Sequence, residues 1–184
     1  MAGTAANVSG GVVVGGAVYS AATSASAPTA TTSTLTGFTD LGYISEDSVK
    51  ITPSLEIKEI KDGFTGGIVA TVPTGGKVEI SFTLIENDEV SMETYHGTSA
   101  SLAAAGAGYI EFKPTTTGGV KSWVIDAVNQ DGTTFDRYYI ARAELTGREP
   151  IEVGIGASPM YGITLTCHEV SQVAYKKFST ALTA

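Results

Sequence analysis

The sequence is short of the residues on which most enzymes and metal proteins depend. A single cysteine, Cys167, excludes a disulfide framework and any multi-cysteine metal site. The only imidazoles are His96 and His168, and neither stands at the Cys-x2–4-Cys or His-x3–5-His spacing of a metal site, so both are read as structural. Charged residues fill 16% of 184 positions, below the roughly 25% of an average globular chain. The charge present is mostly acidic, 11 Lys+Arg against 19 Asp+Glu, for a net −8. That balance excludes a protein that grips phosphates with a basic surface, but not one that DNA must pass without sticking. No run approaches the roughly 18–20 apolar residues of a membrane span, so no membrane partner is expected.

The missing charge is concentrated at one end. Residues 1–39 contain no Asp, Glu, Lys, Arg or His, and Asp40 is the first charge. This stretch is Ala, Gly, Ser, Thr and Val, with Gly10-Gly11-Val12-Val13-Val14-Gly15-Gly16 and a Ser/Thr/Ala run from Ser20 to Thr36. Ala25-Ser26-Ala27 resembles a signal-peptide cleavage site, but no Lys or Arg supplies the basic region that should precede it. The stretch reads as an uncharged arm, dispensable for folding, that orders against a neighbouring subunit with a short strand such as Ala17-Val18-Tyr19. Residues 40–184 read as the folded domain.

From Asp40 onward the pattern is mostly β. In Lys77–Leu84 the apolar residues alternate strictly, placing Val78, Ile80, Phe82 and Leu84 on one face. Leu55-Glu56-Ile57-Lys58 also alternates, with Leu55 and Ile57 expected inward, and the phase shift at Glu59-Ile60 predicts a bulge or strand end. Ile68–Val72 reads as a short strand closed by turn chemistry at Pro73-Thr74-Gly75-Gly76. One helix of about three turns is predicted, capped by Asn87, with Asp88 and Glu89 at its positive end and Gly97 after His96. Leu84, Val90 and Tyr95 would staple it to the sheet. Ser99–Gly108 is a weaker helix or loop. Further strands are expected at Gly108–Lys113, Ile151–Gly154 and Ile163–His168.

Asp131-Gly132 is a hairpin signal between Lys121–Asn129 and Thr134–Ala143. A tight closure pairs Trp123 with Ile140, Ile125 with Tyr138 and Asp126 with Arg137. One face then carries Trp123, Ile125, Ala127, Tyr138 and Ile140, a coherent core face. The other carries Val124, Asp126, Val128, Phe135, Arg137 and Tyr139, too apolar for open solvent and therefore a candidate inter-subunit face. The fold class is mainly β: an antiparallel sandwich or barrel with one short flanking helix.

Chemical motifs are absent where they would matter. Gly154-Ile155-Gly156 is followed by Pro159 where a dinucleotide fingerprint needs its third glycine, and Gly75-Gly76-Lys77-Val78 lacks the rest of a phosphate loop. Asn129-Gln130-Asp131-Gly132 is a turn rather than a calcium loop. Cys167 shares parity with Ile163 and Leu165, the place of a small buried hydrophobe without an activating base. No enzyme, cofactor or metal is expected.

Leu41-Gly42-Tyr43-Ile44-Ser45-Glu46-Asp47-Ser48-Val49 resembles the Gly-Tyr-(Ile/Val)-Ser-Glu-Asp-Gly signature of major tail (tail tube) proteins of long non-contractile-tailed bacteriophages, particularly those of actinobacteria. The resemblance continues through Ile57-Lys58-Glu59-Ile60 and Phe82-Thr83-Leu84-Ile85-Glu86 to Tyr95-His96-Gly97, covering about residues 40–97. It implies a virion protein, assembled in the host cytoplasm as stacked hexameric rings whose inner strands merge into one barrel around the genome-ejection channel. Tape-measure and tail-terminator proteins are the implied partners, and double-stranded DNA passes without specific binding. Under that reading the polar faces of two strands, Ser54, Glu56 and Lys58 with Lys77, Glu79, Ser81 and Thr83, are candidate lumen lining. Two other readings share the composition: a secreted Ig-like adhesin or pilus module, and the inner tube of a contractile tail.

Overall fold

The computed structural model describes residues 17–45, 48–102, 108–128, 135–153 and 159–182. Eight strands and one helix follow one another: β1 (Ala17–Ala22), β2 (Thr39–Asp40), β3 (Lys50–Lys61), β4 (Ile68–Leu84), α1 (Glu89–His96), β5 (Lys121–Val128), β6 (Phe135–Arg148), β7 (Tyr161–Cys167) and β8 (Lys176–Ser179). All pairings are antiparallel, in the order β2-β1-β5-β6-β7-β4-β3, with β8 on β6.

This continuous ladder folds over on itself. Phe82 of β4 and Trp123 of β5 are separated along the ladder by β7 and β6, a distance of roughly 14 Å in a flat sheet. Their ring centroids lie 6.0 Å apart. The bend is in β6, whose first half pairs with β5 and β8 and whose second half pairs with β7. A register shift opposite Lys121–Trp123 marks the corner, as bulges do where strands change layers. The result is a sandwich. Val18, Trp123, Ile125 and Ile140 come from one layer; Ile80, Phe82, Leu84, Ile163 and Leu165 come from the other.

The alternating strand ends at a well-filled core: Ile80, Phe82 and Leu84 are buried and Val78 is packed against them. The β5–β6 register is the predicted one, with Trp123 opposite Ile140, Ile125 opposite Tyr138 and Asp126 opposite Arg137. The Asp131-Gly132 turn lies outside the described residues.

Several expectations are corrected. Pro73-Thr74-Gly75-Gly76 is not a turn; β4 runs through it for 17 residues. Thr74 is bulged out between the Glu56–Gly75 and Ile57–Pro73 pairs. Proline is tolerated because β4 pairs with β7 only from Val78 onward, so at Pro73 its other side needs no donor. The reversal comes instead at 62–67, where Asp62 accepts from the Phe64 and Thr65 amides and the Thr65 hydroxyl. Leu55 and Ile57 do not face the core; they are 69% and 54% exposed. Among the described residues, 108–113 and 151–153 add no strand beyond an isolated Ser101–Tyr109 bridge.

Part of the uncharged stretch belongs to the sheet. β1 pairs over six residues with β5 of the same chain, and Val18 is fully buried. Removing it would open the core, contrary to the expected dispensability of the arm. Asp40 and Leu41 follow directly: the Leu41 amide donates to the Val18 carbonyl. Gly42 then turns at φ +76, where a Cβ would also collide with the Glu86 carboxylate. Ile44 bridges Leu84, so the Gly-Tyr-Ile-Ser segment lies along the end of β4.

The helix has eight residues and is shorter than expected. Its cap is Asp88 rather than Asn87, through a bond from the Ser91 amide, and it ends at Gly97 in the left-handed region. Asn87 accepts instead from the Tyr161 hydroxyl. Tyr95 packs on Tyr161 and donates to the Glu149 carbonyl, which fixes the helix to β7.

Candidate assembly and channel surfaces

Three surfaces stand out. The first is the end of the β3–β4 ladder. Beyond Ser54 and Lys77 the two strands leave the sandwich and run on as a two-stranded extension about 25 Å long, at 3.3 Å per residue. Among the described residues nothing covers either side. Leu55, Ile57, Ile60, Ile68, Val69 and Val72 are exposed, and Phe64 at the tip is 100% exposed. Isolated two-stranded ribbons are marginal in water, and apolar side chains on both sides demand a partner.

The second surface is the outer face of β3, β4, β7 and β6. Direct partners share a face in antiparallel pairs, so the register builds it row by row. Thr52 pairs with Glu79, Glu79 with Thr166, and Thr166 with Glu144. In the next row Lys50 pairs with Ser81 and Ser81 with Thr164. On the other side Ser54 pairs with Lys77, and the His168 amide extends the ladder to the Arg142 carbonyl. Hydroxyls dominate, with Thr146 bonded to Thr166 at 2.8 Å. Lys77 touches Glu79 at 2.9 Å, and His168 lies 3.4 Å from Glu144, whose other oxygen accepts from the Thr117 hydroxyl at 2.7 Å. Of the seven candidate lumen residues, Ser54, Lys77, Glu79, Ser81 and Thr83 therefore lie on this four-stranded face or its margin. Glu56 and Lys58 fall on the two-stranded extension. Thr146, Thr164, Thr166, Glu144 and His168 were missed because their strands neighbour β4 only through the tertiary register.

The third is the face of Val124, Asp126, Phe135, Arg137 and Tyr139. Val124 and Tyr139 are buried within the single chain, and so is the Asp126–Arg137 pair, which the sequence placed at an exposed or interfacial position. The guanidinium is bidentate, with Nε to Oδ1 and Nη2 to Oδ2 both at 2.7 Å. Its remaining nitrogen donates to the Ser33 carbonyl at 2.6 Å and, at 3.5 Å, to that of Ala30. The chain between β1 and β2 is thereby strapped across the face, with Pro28 buried. Phe135 is half-buried beneath the Arg137 guanidinium. Val128 pairs with Phe135, and its side chain lies outside the described residues.

The remaining reactive groups are structural. Burial raises the Cys167 thiol to about 11, so it stays protonated at neutral pH. His96 is pushed below the ordinary imidazole value by burial and then by Arg148. Arg148, not His96, supplies the cation at the helix end, donating to the Tyr95, His96 and Thr116 carbonyls. Among the described residues no three His, Cys, Asp or Glu side chains are grouped to hold a metal. No described helix is long and apolar enough to cross a membrane.

A family model described as phage tail tube protein matches residues 4–179. No curated protein sequence matches. Similar chains occur among solved structures, two assemblies among them. One is the anti-feeding prophage baseplate, at 10% identity over 89% of this chain and 91% of that one, TM-score 0.48. The other is the sheath–tube complex of an extracellular contractile injection system in its extended state, at 12% identity over 96% and 98%, TM-score 0.47.

Proposed function

The chain belongs to the phage tail tube protein family, a structural component of the virion and not an enzyme, and we propose that six copies close into a ring whose stacked repeats form the tube of a long non-contractile tail. The observation that carries this is the β3–β4 extension, seven apolar side chains held in water on a ribbon too thin to bury them. A second copy of the chain is the partner that removes this exposure identically in every ring.

The hydroxyl-rich face of β3, β4, β7 and β6 lines the channel. It has the polarity of a water-filled bore, and it backs directly onto the core side of the same strands. With a net −8 per subunit, the tube repels passing DNA at long range. The non-contractile assignment rests on the Gly42-Tyr43-Ile44-Ser45-Glu46-Asp47 signature. The uncharged residues ahead of β1 are the extension that bridges adjacent rings, the tape-measure protein occupies the bore before DNA does, and a terminator protein closes the stack.

Negative-stain imaging of the purified protein tests the assembly. Hollow tubes with six-fold end views are expected, and Ile57→Asp with Val72→Asp should give folded monomers. A wild-type protein that stays monomeric at high concentration would refute it. The channel face is tested by Glu79→Lys with Glu144→Lys: tubes should persist, while genome delivery slows most at low salt. Normal infectivity with the variant confirmed in the tubes would put these residues outside.

A further inference from the structure

Two basic side chains of the channel face, Lys77 and His168, lie against carboxylates of the same face, whereas Lys50 and Arg142 share that face with no carboxylate partner among the described residues. Lys77 lies two residues from Glu79, and His168 two residues from Thr166, so both flank the row that holds Glu79, Thr166 and Glu144. Two-residue spacing puts Lys77 and Glu79 on one face of the same strand, with Nζ 2.9 Å from the carboxylate. His168, just past the end of β7, reaches Glu144 of neighbouring β6 at 3.4 Å. Glu144 is itself fixed from the far side by the Thr117 hydroxyl, so its carboxylate is aimed rather than free to swing. The same two-residue arrangement recurs at Glu59–Lys61, 3.4 Å apart.

We infer that Glu79 and Glu144 are cation holders for the DNA path: they keep Lys77, and His168 when it is protonated, occupied within the sheet, so that passing phosphates meet fewer free cations. The inference rests on the proposal that this face lines the channel. Exposed ion pairs add little stability, but stability is not what is at stake. A phosphate that recruits Lys77 must displace a carboxylate already in contact and then sit beside it, with like charges opposed. Net acidity alone would not achieve this, because counterion release depends on individual cations meeting phosphates and not on the subunit total. Glu79 and Glu144 are thus positioning residues, acting on DNA through the cations they hold.

The experiment uses assembled tubes and a short fluorescent DNA duplex, with retention measured between 50 and 200 mM salt and with nuclease added afterwards. Glu79→Gln tubes should retain the duplex at least tenfold more at the low-salt end. Their log–log salt dependence should steepen by about 0.9 for every phosphate that a freed lysine contacts. Glu79→Gln combined with Lys77→Gln should return retention and slope to wild-type levels. Glu144→Gln, with His168→Gln as its rescue and measured at an acidity that protonates imidazole, gives an independent second pair should the first disturb assembly. Unchanged retention in both single variants overturns the inference. Failure of the double variants to rescue also overturns it, since that outcome means simple repulsion by the carboxylates. Retained DNA that resists nuclease lies in the bore. DNA retained but digested means that the holders work on an outer face, which refutes the channel assignment and not the holding.

Discussion

Arg137→Met is the sharpest test of how the N-terminal stretch is tied to the sheet. Methionine preserves most of the aliphatic stem while deleting the guanidinium that reaches both Asp126 oxygens and the Ser33 carbonyl. Asp126 is only 7% exposed, so the substitution strands a buried carboxylate, at a cost of about 3–5 kcal/mol. The Ser33 carbonyl loses its charged donor, which is worth about 1 kcal/mol more if water does not fully replace it. A total of about 4–6 kcal/mol lowers Tm by about 8–24 °C in a chain of this size. Thermal denaturation by circular dichroism measures this directly, and limited proteolysis between residues 23 and 38 reports release of the strap. Asp126→Leu with Arg137→Met removes both charges and should recover most of the loss, because apolar replacement of a buried pair is often neutral or better. Arg137→Met melting within about 2 °C of wild type, by the same conversion, would refute the claim that this pair is buried and coupled. A double variant as unstable as the single one would assign the loss to the strap contacts instead.

Trp123→Ala should cost about 3–5 kcal/mol in urea unfolding, because the ring fills the space between the layers against Phe82; a cost below about 1 kcal/mol would place the ring at the surface. Gly97→Ala should destabilise by more than the roughly 1–2 kcal/mol of a left-handed alanine, since its Cβ would fall 2.8 Å from the Gly118 nitrogen; an equal or higher Tm is the contrary result. Asp62 is held below its ordinary value by the Thr65 hydroxyl and then by the Phe64 and Thr65 amides. A depressed folded pKa means that its contribution is complete above the ordinary value of 3.8 and is lost as pH falls through the lower folded one. NMR shifts of those two amides should follow that titration in dispersed subunits, and a carboxyl titrating at 3.8 would contradict it. Deleting residues 2–36 removes β1 and Val18 and should lower Tm sharply, whereas deleting 2–14 should leave the melt unchanged and shorten or abolish tubes; indifference of the melt to the longer deletion would contradict the β1–β5 pairing.

Local pattern alone determined a good deal of this protein. Strict alternation fixed which side of Lys77–Leu84 enters the core, and turn chemistry with two alternating flanks fixed the β5–β6 register to the residue. Both are properties of neighbours in sequence, which a period of two and a tight turn encode directly. The tail-tube resemblance was likewise carried by contiguous residues. Burial was decided elsewhere. Leu55-Glu56-Ile57-Lys58 alternates as well as a core strand does, yet the second layer ends before reaching it, so its apolar side chains stay in water. Pro73-Thr74-Gly75-Gly76 has the composition of a turn, but pairing with β3 on one side and the open edge on the other keep it extended. Asp126 and Arg137 were legible as a pair and not as a buried one, because the cover is Pro28 to Ser33, a hundred residues away and without any pattern of its own. The row joining Thr52, Glu79, Thr166 and Glu144 unites four strands from distant parts of the chain. Periodicity tells each strand which sides it has; only the packing of layers and the order of strands decides what lies on them.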